Sequence, residues 1–172
     1  MPEWLASALR AEIPLFFVVI LRLVVGGELL YEGYVKQRQG YLAPITKEDQ
    51  LFKPLKLKLD EWRDAGNVIG WYERFLAIAV DKNVDIFSVL VTVGEFVVGA
   101  MLVLGLLVRI ASVVGFIMCL NYLFATWHLG FPYREFNILV LALLAVFLLT
   151  GAGRCLGADA ALHERFPEIP LF

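Results

Sequence analysis

The sequence predicts an all-α, polytopic membrane protein: an antiparallel four-transmembrane-helix bundle with two short amphipathic helices in its long first loop. Three observations predict it. Of 172 residues, 60% are hydrophobic and the mean hydropathy is +0.74, far more apolar than a soluble domain. Four hydrophobic runs, at roughly 13–34, 86–108, 110–129 and 136–153, are each about long enough to cross a bilayer. Two of their three connections are short, which makes neighbouring spans antiparallel.

The first run is interrupted by Arg22 and Glu28, is preceded by Glu3 and Glu12, and lacks a small-residue cleavage site. It is expected to be a retained span and not a signal peptide. The loop over 35–85 carries two helical patterns. Thr46-Lys47-Glu48-Asp49 reads as a helix start, with Thr46 as cap and acidic residues in the first turn. Leu51, Leu55, Leu59 and Trp62 then recur on one face, and Gly66 is a plausible stop. A second segment, 71–80, places Tyr72, Phe75, Leu76 and Ala79 together. These helices are expected to cover one mouth of the bundle or lie in the interface. Spans two and three meet around Leu107-Val108-Arg109, and spans three and four around 130–134. Both termini then share one side of a single four-span domain, and the tail after Arg154 is expected to rest at the interface.

A net charge of −2 suggests no nucleic-acid role. Cys119 and Cys155 form no C-x-x-C and no metal-site spacing, and Cys119 reads as a small packing residue. Nothing resembles haem, flavin, iron–sulfur or nucleotide ligation.

The spans contain polar residues that are costly in hydrocarbon and should face one another or a cavity. On span one, Arg22, Gly26 and Gly33 share a stripe, with Glu28 and Glu32 one turn apart beside it. Span two aligns Ser88, Thr92, Glu95 and Gly99. Span three has Ser112, Gly115, Cys119, Tyr122 and Thr126 on one stripe and Asn121, Ala125 and His128 on the next; Asn137 opens span four. Counted along each run, Arg22, Glu95 and Asn121 fall near mid-membrane, so Arg22 and Glu95 are expected to pair. Glu28, Glu32, His128 and Asn137 lie progressively toward the loop side. The expectation is a polar pocket that begins near the midplane and opens under the loop helices.

Such a pocket suits a quinone head group, whose carbonyls need donors and whose reduction needs protons. Arg22, Thr92, Asn121, Tyr122 and His128 are the candidate quinone contacts, and Glu28, Glu32 and Glu95 the candidate proton donors. The same polar set can instead take a small anion or a proton. A purely structural Arg22–Glu95 clamp is the plainer alternative, and His128 beside Trp127 also reads as an interfacial residue.

Several motifs carry a resemblance. They are Leu21-Arg22-Leu23-Val24-Val25-Gly26 with Glu32-Gly33-Tyr34-Val35-Lys36, and Gly94-Glu95-Phe96-Val97-Val98-Gly99 with Leu104-Gly105-Leu106-Leu107-Val108-Arg109. Gly151-Ala152-Gly153-Arg154 with Asp159 completes the set. Together they resemble the DoxX-like membrane proteins. Trp71-Tyr72-Glu73-Arg74-Phe75-Leu76 leading to Asn83 is more similar to the DoxD branch, the small subunit of thiosulfate:quinone oxidoreductase. The resemblance implies a four-span bundle in a prokaryotic-type plasma membrane, with Arg22, Glu95, Arg109 and Arg154 as the family-pattern polar positions. It implies thiosulfate oxidation to tetrathionate coupled to quinone reduction, with a second membrane-associated subunit. Thiosulfate itself is expected outside the hydrocarbon, near Lys36, Arg38 and Arg134 at the loop-side mouth or on the partner subunit. The rival readings are a non-catalytic assembly subunit of a larger respiratory or photosynthetic complex and a small proton-coupled transporter. More lysine and arginine lie on the loop side than on the terminal side, which by count puts the loop in the cytoplasm. The resemblance implies the reverse, with the termini cytoplasmic, and that is the orientation expected here.

Overall fold

The computed structural model describes residues 15–43, 53–166 and 168. Helix α1 is Leu15–Arg38, α2 Pro54–Asp64 and α3 Gly70–Phe75. A π turn, Leu76–Val80, and a 3₁₀ turn, Asp81–Asn83, carry α3 into α4, Val84–Leu104. Helix α5 is Val108–Thr126, α6 Tyr133–Thr150 and α7 Ala158–Arg165. Among the described residues there is no strand.

Among the described residues, three helical stretches are long and apolar enough to cross a membrane: Gly70–Leu104, Val108–Leu129 and Tyr133–Thr150. Helix α1, with 24 residues, reaches about 36 Å at helical rise but carries Arg22, Glu28, Glu32 and Lys36. It lies antiparallel along α4. Gly26 meets Gly99, Leu102 and Val103, while Gly33, further along α1, meets Phe96, earlier in α4. A Cβ on Gly99 would stand 2.8 Å from the Gly26 carbonyl oxygen. The two backbones therefore touch, which only small residues permit. The further bundle contacts are α4 with α5, α5 with α6 and, less extensively, α1 with α6. Their shared core includes Leu102, Val108, Ala111, Leu144, Phe147 and Ala152, all fully buried.

The loop helices form a second core on the loop-side ends of α4 and α5. Leu59, Tyr72, Leu76, Val80 and Ala125 are buried there, with Leu55, Trp62, Phe87 and Phe124 packed around them. Thr46 and Leu51 lie outside the described residues; among those described, the helix begins at Pro54, with Lys53 before it. The second amphipathic segment forms as expected but joins the second span through a 3₁₀ turn. Its buried face is Tyr72, Leu76 and Val80; Phe75 is exposed. The π turn over Leu76–Val80, with its wider winding, accounts for the step of four from Leu76 to Val80. On the tail, Asp159 of α7 is buried against the α4–α5 turn.

Candidate functional site

The polar residues of the spans form two clusters, at opposite ends of the α1–α4 contact. Along α1 they are about 20 Å apart, by the helical rise between Arg22 and Lys36.

The first cluster surrounds Arg22, whose relative exposure is 0%. Its Nη1 donates to the carbonyl oxygens of Ala152 at 2.5 Å and Cys155 at 3.2 Å, and its Nη2 to that of Leu156 at 3.0 Å. Those carbonyls follow the end of α6, where Gly151 turns left-handed at φ 61°. Arg22 thus satisfies backbone acceptors just beyond a helix C-terminus, where a cation is also favoured. Asp159 does the converse for α5. Its Oδ1 accepts from the Leu107 amide at 2.6 Å and its Oδ2 from the Val108 amide at 3.0 Å, while its own amide donates to Gly105. The packing needs glycine: a Cβ on Gly153 would collide with the Asp159 carboxylate, and one on Gly157 with the Gly153 carbonyl.

The expected Arg22–Glu95 pair is therefore not formed. The reason is stagger. With Gly26 opposite Gly99, Arg22 lies one turn toward the terminal side, against Gly105, and Glu95 one turn toward the loop side. Distance along each hydrophobic run ignored that offset. Arg22, Glu95 and Asn121 do not share one level.

The second cluster surrounds Glu95, which is 1% exposed. Its Oε1 lies 2.8 Å from Lys36 Nζ and accepts from the Tyr122 hydroxyl at 2.7 Å. Lys36 also reaches Glu32 at 3.1 Å and lies 5.8 Å from the Tyr122 ring centroid. Three helices, α1, α4 and α5, contribute. Among the described residues no hydrogen-bond partner reaches Glu95 Oε2, and none reaches Ser112 Oγ. Tyr41, just past α1, is buried, and its carbonyl accepts from Ser88 Oγ at 2.8 Å. Burial, then the carboxylates of Glu95 and Glu32, push the Tyr41 phenol up to about 12.

The remaining expected site residues are dispersed. Glu28 is exposed on the outer face of α1. Thr92 is buried but donates to its own helix, at Ser88 O. Asn121 donates to Ile117 O, and its backbone oxygen accepts from the Tyr72 hydroxyl at 3.0 Å, tying α5 to α3. His128 Nε2 sits 2.7 Å from Trp62 O, tying α2 to the turn after α5. Asn137 donates to Tyr133 O. The expected anion trio is also split. Lys36 is inside the Glu95 cluster, Arg38 is exposed, and Arg134 pairs with Glu135 at 2.7 Å and stacks over Trp127.

Sequence reasoning missed the role of Lys36, although a signal was present. Arg22, Gly26, Leu29, Gly33 and Lys36 follow steps of four and three, so Lys36 shares the stripe that faces α4. Asp159 as a remote cap and the Lys53–Asp85 ion pair, at 2.5 Å between the start of α2 and the start of α4, carry no local signal.

A family model described as the TQO small subunit DoxD matches residues 17–171. No curated protein and no solved structure matches the chain.

Proposed function

The chain belongs to the DoxD family, and from that premise we propose that it is the small membrane subunit of a thiosulfate:quinone oxidoreductase-like complex, in which the Lys36–Glu95–Tyr122 cluster meets the quinone head group and supplies a proton to it. The observation that carries the finer reading is the Glu95 carboxylate. One oxygen is held by a cation and a phenol, and the other has no partner among the described residues.

The chemistry asks for such a group. Joining thiosulfates as tetrathionate releases electrons but no protons, whereas reduction of a quinone to a quinol consumes both. The protons must come through protein. Glu95 Oε2 is the atom suited to hold one in transit. Lys36, 2.8 Å from Oε1, compensates the charge left when the proton departs. The Tyr122 hydroxyl fixes the carboxylate and is a second donor beside it. Thiosulfate, a dianion, belongs outside the hydrocarbon; Arg38 and Arg134 on the loop side remain its candidate contacts in this chain, with Lys36 assigned instead to Glu95.

The test is turnover of the purified complex. Glu95→Gln keeps the shape and removes the proton, and is expected to lower thiosulfate-driven quinone reduction about 100-fold, the scale of general acid–base catalysis. Full turnover in a folded Glu95→Gln complex overturns the role of the cluster. A complex that neither binds quinone nor reduces it with thiosulfate overturns the whole reading. An assembly role is the second reading, favoured by the engagement of Arg22 and Asp159 with the chain's own backbone. It expects Lys36→Met and Glu95→Gln to weaken association with the partner and leave no separate turnover to lose.

A further inference from the structure

Glu28 is a charged residue of α1, lying between the two clusters, that neither of them uses. It lies about 9 Å from Arg22 and about 12 Å from Lys36 along the helix, inside the length that α1 shares with α4. Its side chain is on the outer face, exposed, and no described residue gives it a hydrogen bond or an ion pair. Its neighbour one turn ahead is Glu32, of like charge and already engaged with Lys36. A carboxylate facing hydrocarbon with no partner is costly. Around it the same face presents Val24 and Tyr31, exposed at 63% and 60%, and Gly27, where an added Cβ would meet nothing within 4 Å. A second backbone can approach closely at such a glycine.

We propose that this face of α1 docks a transmembrane helix of a different subunit, one that presents a lysine, arginine or other strong hydrogen-bond donor to Glu28 at the same depth. Charge decides the kind of occupant. A symmetric contact between two copies of this chain sets Glu28 against Glu28. An asymmetric contact needs an outward cation at that depth; among the described residues Arg22 and Lys36 are turned inward on their own partners, and Arg38, Arg109 and Arg134 stand at the ends of their helices. The complementary group therefore comes from another protein. This rests on the reading of the chain as a subunit and deepens it by naming the face and the chemistry of the contact.

The experiment is site-specific photocrosslinking in native membranes with the intact complex. Benzoylphenylalanine replaces Val24 on the proposed face, or Leu90, exposed on α4, as the control. The adduct at Val24 is expected to contain an apolar segment of another protein carrying a basic or donor residue, and the control is expected to give no such adduct. Glu28→Lys is expected to reduce the Val24 adduct at least tenfold. Glu28→Leu, which suits lipid better than the native residue and so preserves the fold, is expected to reduce it as well. An adduct with lipid alone or with a second copy of this chain overturns the proposal. So does an adduct unchanged by both substitutions; if that complex still reduces quinone with thiosulfate, the docking face fails while the subunit reading stands. A chain that purifies with no second subunit and no quinone reduction defeats both.

Discussion

The two ends of the α1–α4 contact bury charge in opposite ways. At the terminal end, Arg22 binds three backbone carbonyls, and Asp159 binds two backbone amides. Backbone dipoles are fixed by the fold, so those charges are locked with it. At the loop end, Glu95 binds the side chains of Lys36 and Tyr122. Side chains can rotate, exchange partners and transfer protons. The difference teaches that burial of a charge does not by itself mark a site: the chemistry of the partner separates a structural charge from one able to react.

The sharpest way to break that contrast is Arg22→Leu. The Ala152 carbonyl is buried and costs about 1–3 kcal/mol when left without its donor; the Cys155 and Leu156 bonds are only partly buried and add less, so the expected loss of stability is roughly 3 kcal/mol. Thermal unfolding in detergent measures it. Turnover per folded complex should be unchanged, because Arg22 is remote from Glu95. A stable Arg22→Leu protein that no longer reduces quinone reverses the assignment of the two ends.

Glu95→Gln asks the converse. Its expected effect, about 100-fold in turnover, is roughly 2.7 kcal/mol on the barrier. Its stability cost should be smaller, under about 2 kcal/mol, because Lys36 keeps Glu32 as a counter-charge. If Glu95→Gln unfolds the protein as severely as Arg22→Leu, both ends are structural, and the assembly reading gains.

Much of this was legible in the residues, and what was not has a physical cause. The spans follow from hydrophobic runs that a bilayer requires, and the α2 face from the recurrence of Leu55, Leu59 and Trp62. The family pattern drew attention to Arg22, Glu95 and Asp159 but could not assign their partners. Pairing depends on the stagger of two helices, which is set by where Gly26 and Gly99 let the backbones touch, and a single helix carries no record of its neighbour's offset. Tyr122 falls on the predicted stripe with Cys119 and meets Glu95 for that reason. Glu28 was placed with the carboxylates because its spacing from Glu32 is one turn. At 100° per residue, however, Glu28 lies about 200° around from Gly26, the residue in contact with α4, and so faces away from it, while Glu32 is reached by Lys36 one turn further on.

Asp159→Asn is a smaller probe of the same contrast. Asparagine keeps one acceptor but loses the charge that favours a helix N-terminus, so about 1 kcal/mol is expected from the end of α5. Hydrogen exchange should quicken at Leu107 and Val108 and stay unchanged at the Glu95 level. Gly153→Ala tests the same joint sterically, since its new methyl must displace the Asp159 carboxylate.

The smallest effect belongs to the loop helices α2 and α3, which lie as a lid on the loop-side ends of α4 and α5, and it decides whether the loop end is built to open. Tyr72→Phe removes one hydrogen bond, to the backbone oxygen of Asn121, and leaves the aromatic packing against Phe124 and Phe75 intact. The expected cost is about 1 kcal/mol. It should fall on local opening of α2 and α3, because their core of Leu59, Leu76 and Val80 is separate from the core of the bundle. Faster amide exchange over 54–64 and 70–80, with the global melting temperature nearly unmoved, is the expected result. If quinone reduction rises as the lid loosens, access to the Glu95 cluster passes beneath it. If turnover is indifferent to the lid, a quinone must instead enter sideways, between helices and from the bilayer, as its isoprenoid tail would favour.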